Sequence, residues 1–409
     1  MQETIVEKPY KFVSAKRGTW FPRIVRNFQL FNRHLRKTEG VIGFEVRHAE
    51  RLKESLASGH AILLTPNHCR TADPLVLGWM CGEVKCVFYC MASWHLYNMG
   101  WFVRWFVRSI GCFSVNRDGV DRQAVKKAIE VLRKGERPLI IFPEVYTSRR
   151  NDRLQTMMDG LAFIARTAAK KRAKEQNGKV ILHPIAIKYS FQGDLHAAID
   201  PVLDGIEQRL TFQSEPGTPL LDRIDRVRNA FVCLKELEHF GAVQSGDLGK
   251  RQEDLTAKVL ASLEEKWLIT NHEKHVVPRV KAIRSKIVPE LANDISGEER
   301  AMRWRDIFHV ELAHHLSCWS PDYLAEWPSI DRIFETIDRI DQHLNGKPHV
   351  HENLKAIIDI GEPLEVPAWR DRKTNEDPLM TEVARRLQDM LTALGKESRL
   401  YEPDSEVSG

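Results

Sequence analysis

Ala61-Ile62-Leu63-Leu64-Thr65-Pro66-Asn67-His68-Cys69-Arg70-Thr71-Ala72-Asp73 joins an apolar run to an imidazole and a carboxylate five positions apart. The run Ala61–Leu64 reads as a strand and the polar stretch after it as the strand exit. A general base needs one ring nitrogen free to take a proton while a carboxylate on the other holds the tautomer and stabilises the imidazolium. His68 fits the first role and Asp73 the second. If a helix starts near Asp73, the offset is a little over one turn and brings the carboxylate back towards the ring. The same residues fit a turn in which Asn67 and Asp73 are turn and N-cap residues and His68 lies on the surface.

Outward from this stretch, short apolar runs alternate with helical patterns. Ala61–Leu64, Val84–Tyr89, Cys112–Val115, Leu139–Phe142 and Val180–Tyr189 are the expected strands, with helices over Val120–Lys134 and Gly160–Glu175. The alternation predicts an α/β sheet with active loops at strand ends. After about Asp200 the pattern changes. Beyond a break at Ser214-Glu215-Pro216-Gly217-Thr218-Pro219, the chain to Asn345 is charged and helical in period, with Leu221, Ile224, Val227, Phe231, Leu234 and Leu237 on one face. A late strand follows over Ala356–Pro363, and then a final helix over Pro378–Leu394, with Pro378 suited to its first turn. The charged stretch therefore reads as a large helical insertion in an α/β domain. The expected organisation is a basic amphipathic segment over 1–44, the main part of the catalytic domain over 45–203, the insertion over 204–350, and the closing strand, helix and tail over 351–409.

Three further segments carry chemically distinct groups. Gly111-Cys112-Phe113-Ser114-Val115-Asn116-Arg117 supplies a permanent cation just past a short strand. Phe142-Pro143-Glu144 follows the apolar run Pro138–Ile141, and His183-Pro184-Ile185-Ala186-Ile187-Lys188-Tyr189 lies within another. In order and spacing, these three and the Asn67–Asp73 stretch resemble the four blocks of the glycerolipid acyltransferase family, which contains the 1-acyl-glycerol-3-phosphate acyltransferases. The resemblance covers roughly Gly59 to Gly193, with a continuation near Ile357 to Val366 that is similar to the family's closing strand and Gly-Glu-Pro turn.

The resemblance implies a mixed central sheet flanked by helices, with His68 and Asp73 as the catalytic dyad of a His-x4-Asp motif. It implies that Arg117 binds the phosphate of the acceptor and that Phe142, Pro143 and Glu144 help to form the acceptor site. Asn67 and Arg149 complete the expected substrate contacts. His183 and Pro184 match a block linked to acyl-chain or structural roles. Two positions depart from the family pattern. Val145 stands where the family has Gly, and Thr147 where an Arg is usual, although Ser148, Arg149 and Arg150 follow. Gly permits backbone conformations that a β-branched residue resists, so either the loop takes another geometry or the acceptor sits differently.

The implied chemistry is transfer of an acyl group from a thioester of coenzyme A or acyl carrier protein to the hydroxyl of 1-acyl-glycerol-3-phosphate. The thioester is a co-substrate, and neither a cofactor nor a metal is expected. Alternative readings are an acyltransferase for glycerol 3-phosphate or another lysophospholipid, and a catalytically silent lipid-binding scaffold.

The chain of 409 residues is long enough for two or three domains, and its net charge of +5 is unevenly placed. Residues 1–44 hold nine Lys or Arg against three Glu, a net of +6, so the rest of the chain sums to −1. This basic segment is interleaved with Trp20, Phe21, Ile24, Val25, Phe28 and Phe31 near helical period. Such a face suits either an anionic membrane surface or docking on the domain's own core. No nucleic-acid motif accompanies it. A second aromatic stretch, Trp94–Phe106, is broken by Arg104 and too short to span a bilayer. The resemblance implies a lining for the acyl chain or a lipid contact, and the residues by themselves fit a buried helix. The start Met1-Gln2-Glu3-Thr4 has no signal-peptide core. The seven cysteines form no Cys-x-x-Cys pair and read as reduced thiols, and Cys69 beside His68 is not read as a nucleophile. A cytoplasmic protein lying peripherally on a membrane is expected, with membrane lipids, the thioester and a lysophospholipid acceptor as its partners. His272 with His275, and His309 and Glu311 with His314 and His315, are the histidine groupings closest to a metal pattern. Without Cys or a His-Glu-x-x-His motif they read as solvated or core residues.

Overall fold

The computed structural model describes residues 5–403 apart from 177, 213, 216, 271–272, 320–321, 347–349, 351 and 371–375. Pro216 of the expected break, His272 and the first four residues thus lie outside the described residues.

The apolar run after His60 forms a strand whose six residues, Ala61–Pro66, are all buried. It lies between two parallel partners, and a strand covered on both faces reads as a continuous apolar run rather than an alternating one. Among the described residues eight strands make one sheet: β1 (Val41–Arg47), β2 (Ala61–Pro66), β3 (Tyr89–Ser93), β4 (Cys112–Val115), β5 (Leu139–Ile140), β6 (Val180–Phe191), β7 (Leu354–Ile360) and β8 (Leu364–Glu365). The order across the sheet is β1-β7-β6-β2-β5-β3-β4, and β8 pairs antiparallel with β6. The pairs β1–β7, β2–β5, β2–β6, β3–β4 and β3–β5 are parallel. The carboxyl ends of β2, β5, β6, β3 and β4 therefore open on one edge, where open α/β sheets place their ligand crevice.

Helices Arg122–Lys134 and Gly160–Gln176 cover this part of the sheet. The first is cut out by its own sequence. The Asp121 side chain accepts from the Ala124 N–H at 2.9 Å, and Gly135 ends the helix at a positive φ of 66°. It buries Ala124, Ala128, Val131 and Leu132, one stripe at helical spacing. With Leu63, Tyr89, Phe113, Leu139, Leu161, Ala165, Leu182 and Val383 these residues form one contiguous core. Full burial of each leucine contributes roughly 1.5–3 kcal/mol.

The final helix runs Pro378–Gly395, with Pro378 in its first turn and Asp377 as N-cap, accepting from Leu379 N at 2.9 Å. Gly361, between β7 and β8, sits where only glycine fits. A Cβ there would lie 2.7 Å from the Pro184 ring and 2.9 Å from both the Pro184 carbonyl and the Met390 sulfur.

Four expectations are corrected. The strand expected over Val84–Tyr89 starts only at Tyr89, because helix Asp73–Glu83 runs on and Lys85 then turns with φ 53°. The strand expected over Leu139–Phe142 is two residues long, and Phe142 lies beyond it. The aromatic N-terminal stretch is two helices, Trp20–Asn27 and Asn32–Glu39, separated by a turn with Gln29 at φ 45°. Strand β1 follows at once, across the expected boundary at residue 44. The stretch Trp94–Phe106 is a 3₁₀ turn over Trp94–Asn98 and a helix over Trp101–Ser109 of which only Ser109 is buried, so it is no core helix.

The chain divides into two compact units, 8–190 with 352–397, and 5–7 with 191–351 and 398–403. The second is helical: Leu195–Arg209, Leu220–Phe240, Leu248–Lys266, Val276–Glu290, Gly297–Ser317, Asp322–Ala325 and Ile330–Asn345. On Leu220–Phe240 the buried stripe is Leu220, Ile224, Val227 and Phe231. Leu234 and Leu237, expected on the same face, are exposed.

Candidate active site

Strand β2 delivers the chain to Asn67, whose amide is used at both ends: its Oδ1 accepts from Ile187 N at 2.7 Å and its Nδ2 donates to Ile187 O at 2.9 Å. Asn67 is thus a clamp between the ends of β2 and β6 rather than the substrate contact expected of it. The clamp fixes where the next residue points. Helix Asp73–Glu83 begins at Asp73, and the His68 Nδ1 lies 2.8 Å from the Asp73 Oδ2.

Asp73 is fully buried, and its carboxylate collects further donors. Arg70 N donates to Oδ2 at 2.9 Å, the Tyr189 hydroxyl to Oδ1 at 2.7 Å, and the Cys69 thiol lies 3.7 Å from Oδ1. An ionised carboxylate only accepts, so Nδ1 of His68 carries the ring proton and Nε2 presents a lone pair. The helix N-terminus adds a favourable dipole for the carboxylate. Burial, and then the Asp73 charge, push the Tyr189 phenol well up, so it stays a donor. The Cys69 thiol also lies 3.6 Å from the Ile187 carbonyl and is buried, which turns it inward, away from the role of nucleophile.

Phe142, Pro143 and Glu144 follow β5 on the same edge. The Phe142 ring centroid is 4.4 Å from that of His68. Pro143 is buried, and its carbonyl accepts from Met158 N at 3.0 Å. Glu144 is 1% exposed, and its two oxygens accept from His68 N at 2.7 Å and Gln155 N at 2.9 Å. It therefore holds the backbone of the histidine from behind. Burial raises its pKa, and these two N–H groups and the nearby cations oppose the rise.

Val145 takes φ 67°, with Tyr146 N donating to Glu144 O at 2.7 Å across it. The position where the related blocks carry glycine thus keeps a glycine conformation with a β-branched residue in it, at a cost of about 1–3 kcal/mol. Val145→Gly relieves this and loses about 0.5–1 kcal/mol to chain entropy. A net gain of about 1 kcal/mol is expected, read as a higher denaturation midpoint. A lower midpoint would show that the valine side chain outweighs the strain.

The loop continues against the histidine segment: Ser148 N donates to His68 O at 2.9 Å and Arg149 N to Cys69 O at 3.0 Å. Arg149, at φ 53°, is buried beside it. Arg117, past the end of β4, donates from Nη1 to Val145 O at 3.4 Å and lies 6.0 Å from the Tyr146 ring. Arg117 thus reaches the loop that carries Glu144, and Arg149 belongs to that loop.

His183 is outside this cluster. Its Nδ1 donates to Gly361 O at 2.9 Å, which leaves Nε2 to accept from Ser55 Oγ at 2.8 Å. Burial lowers its pKa and keeps it neutral, in a structural role.

Sequence reasoning missed three members. Tyr189 orients Asp73 and is itself held by Asn151, which bonds to both its N and its O. Arg70 places its guanidinium 5.4 Å from the Tyr189 ring. Glu39, at the end of helix Asn32–Glu39, accepts from the Thr71 hydroxyl, with its pKa raised by burial and opposed by Arg149 and Arg70. Tyr189 lies two residues beyond Ile187 on one face of β6, the only signal in the sequence that pointed to it.

An imidazole with a fixed tautomer, a buried orienting carboxylate and arginines on the neighbouring loops suit deprotonation of a hydroxyl beside an anionic group. Residues 44–188 match the family model described as Acyltransferase. The chain carries an acyltransferase-family domain. This acyltransferase domain includes His68, Asp73, Arg117, Phe142, Pro143, Glu144 and Arg149, and the match ends one residue before Tyr189. Strands β7 and β8 and the final helix lie beyond it. No curated protein matches the chain.

Proposed function

We propose that this acyltransferase moves a fatty acyl group from the thioester of acyl-coenzyme A or acyl carrier protein to the hydroxyl of 1-acyl-glycerol-3-phosphate in phospholipid synthesis. The observation that carries the reading is the His68 Nδ1–Asp73 Oδ2 contact of 2.8 Å, with His68 side-chain exposure of 12% leaving the ring accessible at the sheet edge. Nε2 takes the proton as the acceptor oxygen attacks the thioester carbonyl. The new C–O bond forms, the C–S bond breaks, and the imidazolium returns its proton to the departing thiolate. Arg117 and Arg149 suit a phosphate, because guanidinium keeps its charge and bonds two oxygens at once. The test is thiol release from acyl-coenzyme A, and from acyl carrier protein thioesters, with lysophosphatidic acid, glycerol 3-phosphate and lysophosphatidylcholine offered separately. Release only with lysophosphatidic acid is expected. Release with another acceptor would reassign the substrate, and no release with any would leave a lipid-binding scaffold.

A peripheral place on the cytoplasmic side of a membrane goes with this acceptor. Among the described residues no helix is long and apolar enough to cross a membrane. Helices Trp20–Asn27 and Trp101–Ser109 pack through Phe21 and Trp105, with ring centroids 4.9 Å apart, while Trp20, Phe28 and Trp101 are 66%, 72% and 80% exposed. Arg23, Arg26, Arg104 and Arg108 lie among them. Aromatic rings among cations suit an anionic lipid surface. Sedimentation with phosphatidylglycerol vesicles is expected, weakened about tenfold or more in a Trp20→Ser, Phe28→Ser, Trp101→Ser triple variant. Equal binding of variant and parent would remove this surface from the proposal.

A further inference from the structure

In the helical unit, Glu238 and His239 end helix Leu220–Phe240, and His309 lies within helix Gly297–Ser317. The His309 Nε2 is 3.3 Å from the Glu238 Oε1, and the His239 Nε2 is 4.0 Å from the same oxygen. The three donor atoms all lie within 4.8 Å of one another, and the two imidazole centroids are 4.9 Å apart. The His239 Nε2 is buried and makes no hydrogen bond among the described residues. A buried ring nitrogen without a partner is rare enough to need a reason.

We propose that Glu238, His239 and His309 bind a divalent transition-metal ion, zinc in the first instance, which ties these two helices together. Two imidazoles and a carboxylate are a donor set that suits zinc rather than magnesium or calcium. In a tetrahedral site with bonds of about 2.0–2.1 Å the donors stand roughly 3.3 Å apart. One of the distances here already has that value, and side-chain rotation of about an ångström closes the others. Water fills the fourth position. Lys235 Nζ lies 2.8 Å from the Glu238 Oε2. It holds the carboxylate with Oε1 towards the imidazoles, while its charge lowers the affinity for a dication. The site is independent of the acyl-transfer reading.

The histidine groupings considered from sequence do not form it. On helix Gly297–Ser317, His315 Nδ1 meets His343 Nδ1 at 2.9 Å in the interior, and Glu311 faces Arg284 at 3.7 Å. His309 alone of that grouping turns to His239. His275 is the N-cap residue of helix Val276–Glu290.

The test uses the full chain, stripped with a chelator and titrated with zinc alone, with bound metal measured by elemental analysis after dialysis. One ion per chain is expected, with binding at least tenfold weaker in Glu238→Gln and His309→Gln, both confirmed as folded by circular dichroism. Glu238 is exposed, so its amide variant keeps the fold. Cobalt in place of zinc is expected to give the visible absorption of a tetrahedral site in the parent and not in the variants. No stoichiometric zinc, or zinc bound equally by parent and both variants, would overturn the proposal.

Discussion

His68→Ala is expected to lower acceptor-dependent thiol release about 100- to 10,000-fold while leaving KM for the thioester nearly unchanged. The size follows from what the ring does. Nδ1 is held 2.8 Å from Asp73, so the proton is placed on that nitrogen and Nε2 is the base. Alanine leaves the acceptor hydroxyl with only water to take its proton. The variant keeps the clamp of Asn67 on Ile187 and the bond from its own N–H to Glu144, both of which bypass the ring. Its fold and lipid binding should therefore survive. Asp73→Asn tests the partner. An amide in that place offers an N–H to Nδ1 and reverses the tautomer preference, so a loss of similar order is expected. Unchanged turnover in His68→Ala would end the acyl-transfer mechanism through this ring.

Arg166→Ala is expected to destabilise the α/β unit by about 3–5 kcal/mol, because it leaves a carboxylate buried without its cation. Arg166 donates from Nε to Asp377 Oδ2 at 3.1 Å and from Nη2 to Oδ1 at 2.6 Å, and from Nη1 to the carbonyls of Pro367 and Trp369. Asp377 is the N-cap of the final helix, so the guanidinium secures the closing segment on helix Gly160–Gln176. Arg370, 3.9 Å from Asp377, is half exposed and compensates little. The sign of the pH dependence follows from Asp377. Burial acts to raise its pKa, but the bonds from Arg166 and from Leu379 N outweigh burial and hold it below the ordinary carboxylate range. A depressed pKa gives stability that is present above the unfolded value of about 3.9 and is lost as pH falls through the folded one. In Arg166→Ala burial goes unopposed by the guanidinium, and acid unfolding should begin at higher pH. Urea unfolding of parent and variant between pH 3 and 7 measures both effects. A loss below about 1 kcal/mol would show that the segment is held elsewhere.

Much of the sheet was legible because its central strands are parallel and covered on both faces. Ala61–Leu64 and Val180–Tyr189 are apolar runs for that reason. Strand β1 was not legible. It lies at the end of the sheet order, leaves Ile42 and Phe44 half exposed and includes Gly43 and Glu45, so it shows neither a continuous run nor a clean alternation. The start of β3 was misread because Val84, Val87 and Phe88 are apolar but occupy the helix end and turn that precede it. In the helical unit, period alone placed Leu234 and Leu237 on the buried stripe. The buried face runs instead through Val232 to Glu236, which meets Arg251 of the next helix, because burial depends on which neighbouring helix is present at each turn.

For the site, the sequence alone determined the segment that carries the base and its orienter, since His68 and Asp73 are joined by a short loop and the start of a helix, all of it local geometry. It also marked the segments holding Arg117, Glu144 and Arg149, which follow strands on one sheet edge. Only the tertiary structure decided what those side chains do. Asn67 and Glu144 are turned inward to clamp backbone, and Tyr189 and Glu39 arrive from β6 and from helix Asn32–Glu39 to complete the surroundings of the dyad. The pairing of His239 with His309 is likewise set by two helices meeting. The physical reason is the same in each case: a hydrogen bond or a shared donor cluster between distant segments depends on how packed elements place a few atoms, and no periodicity within either segment encodes that distance.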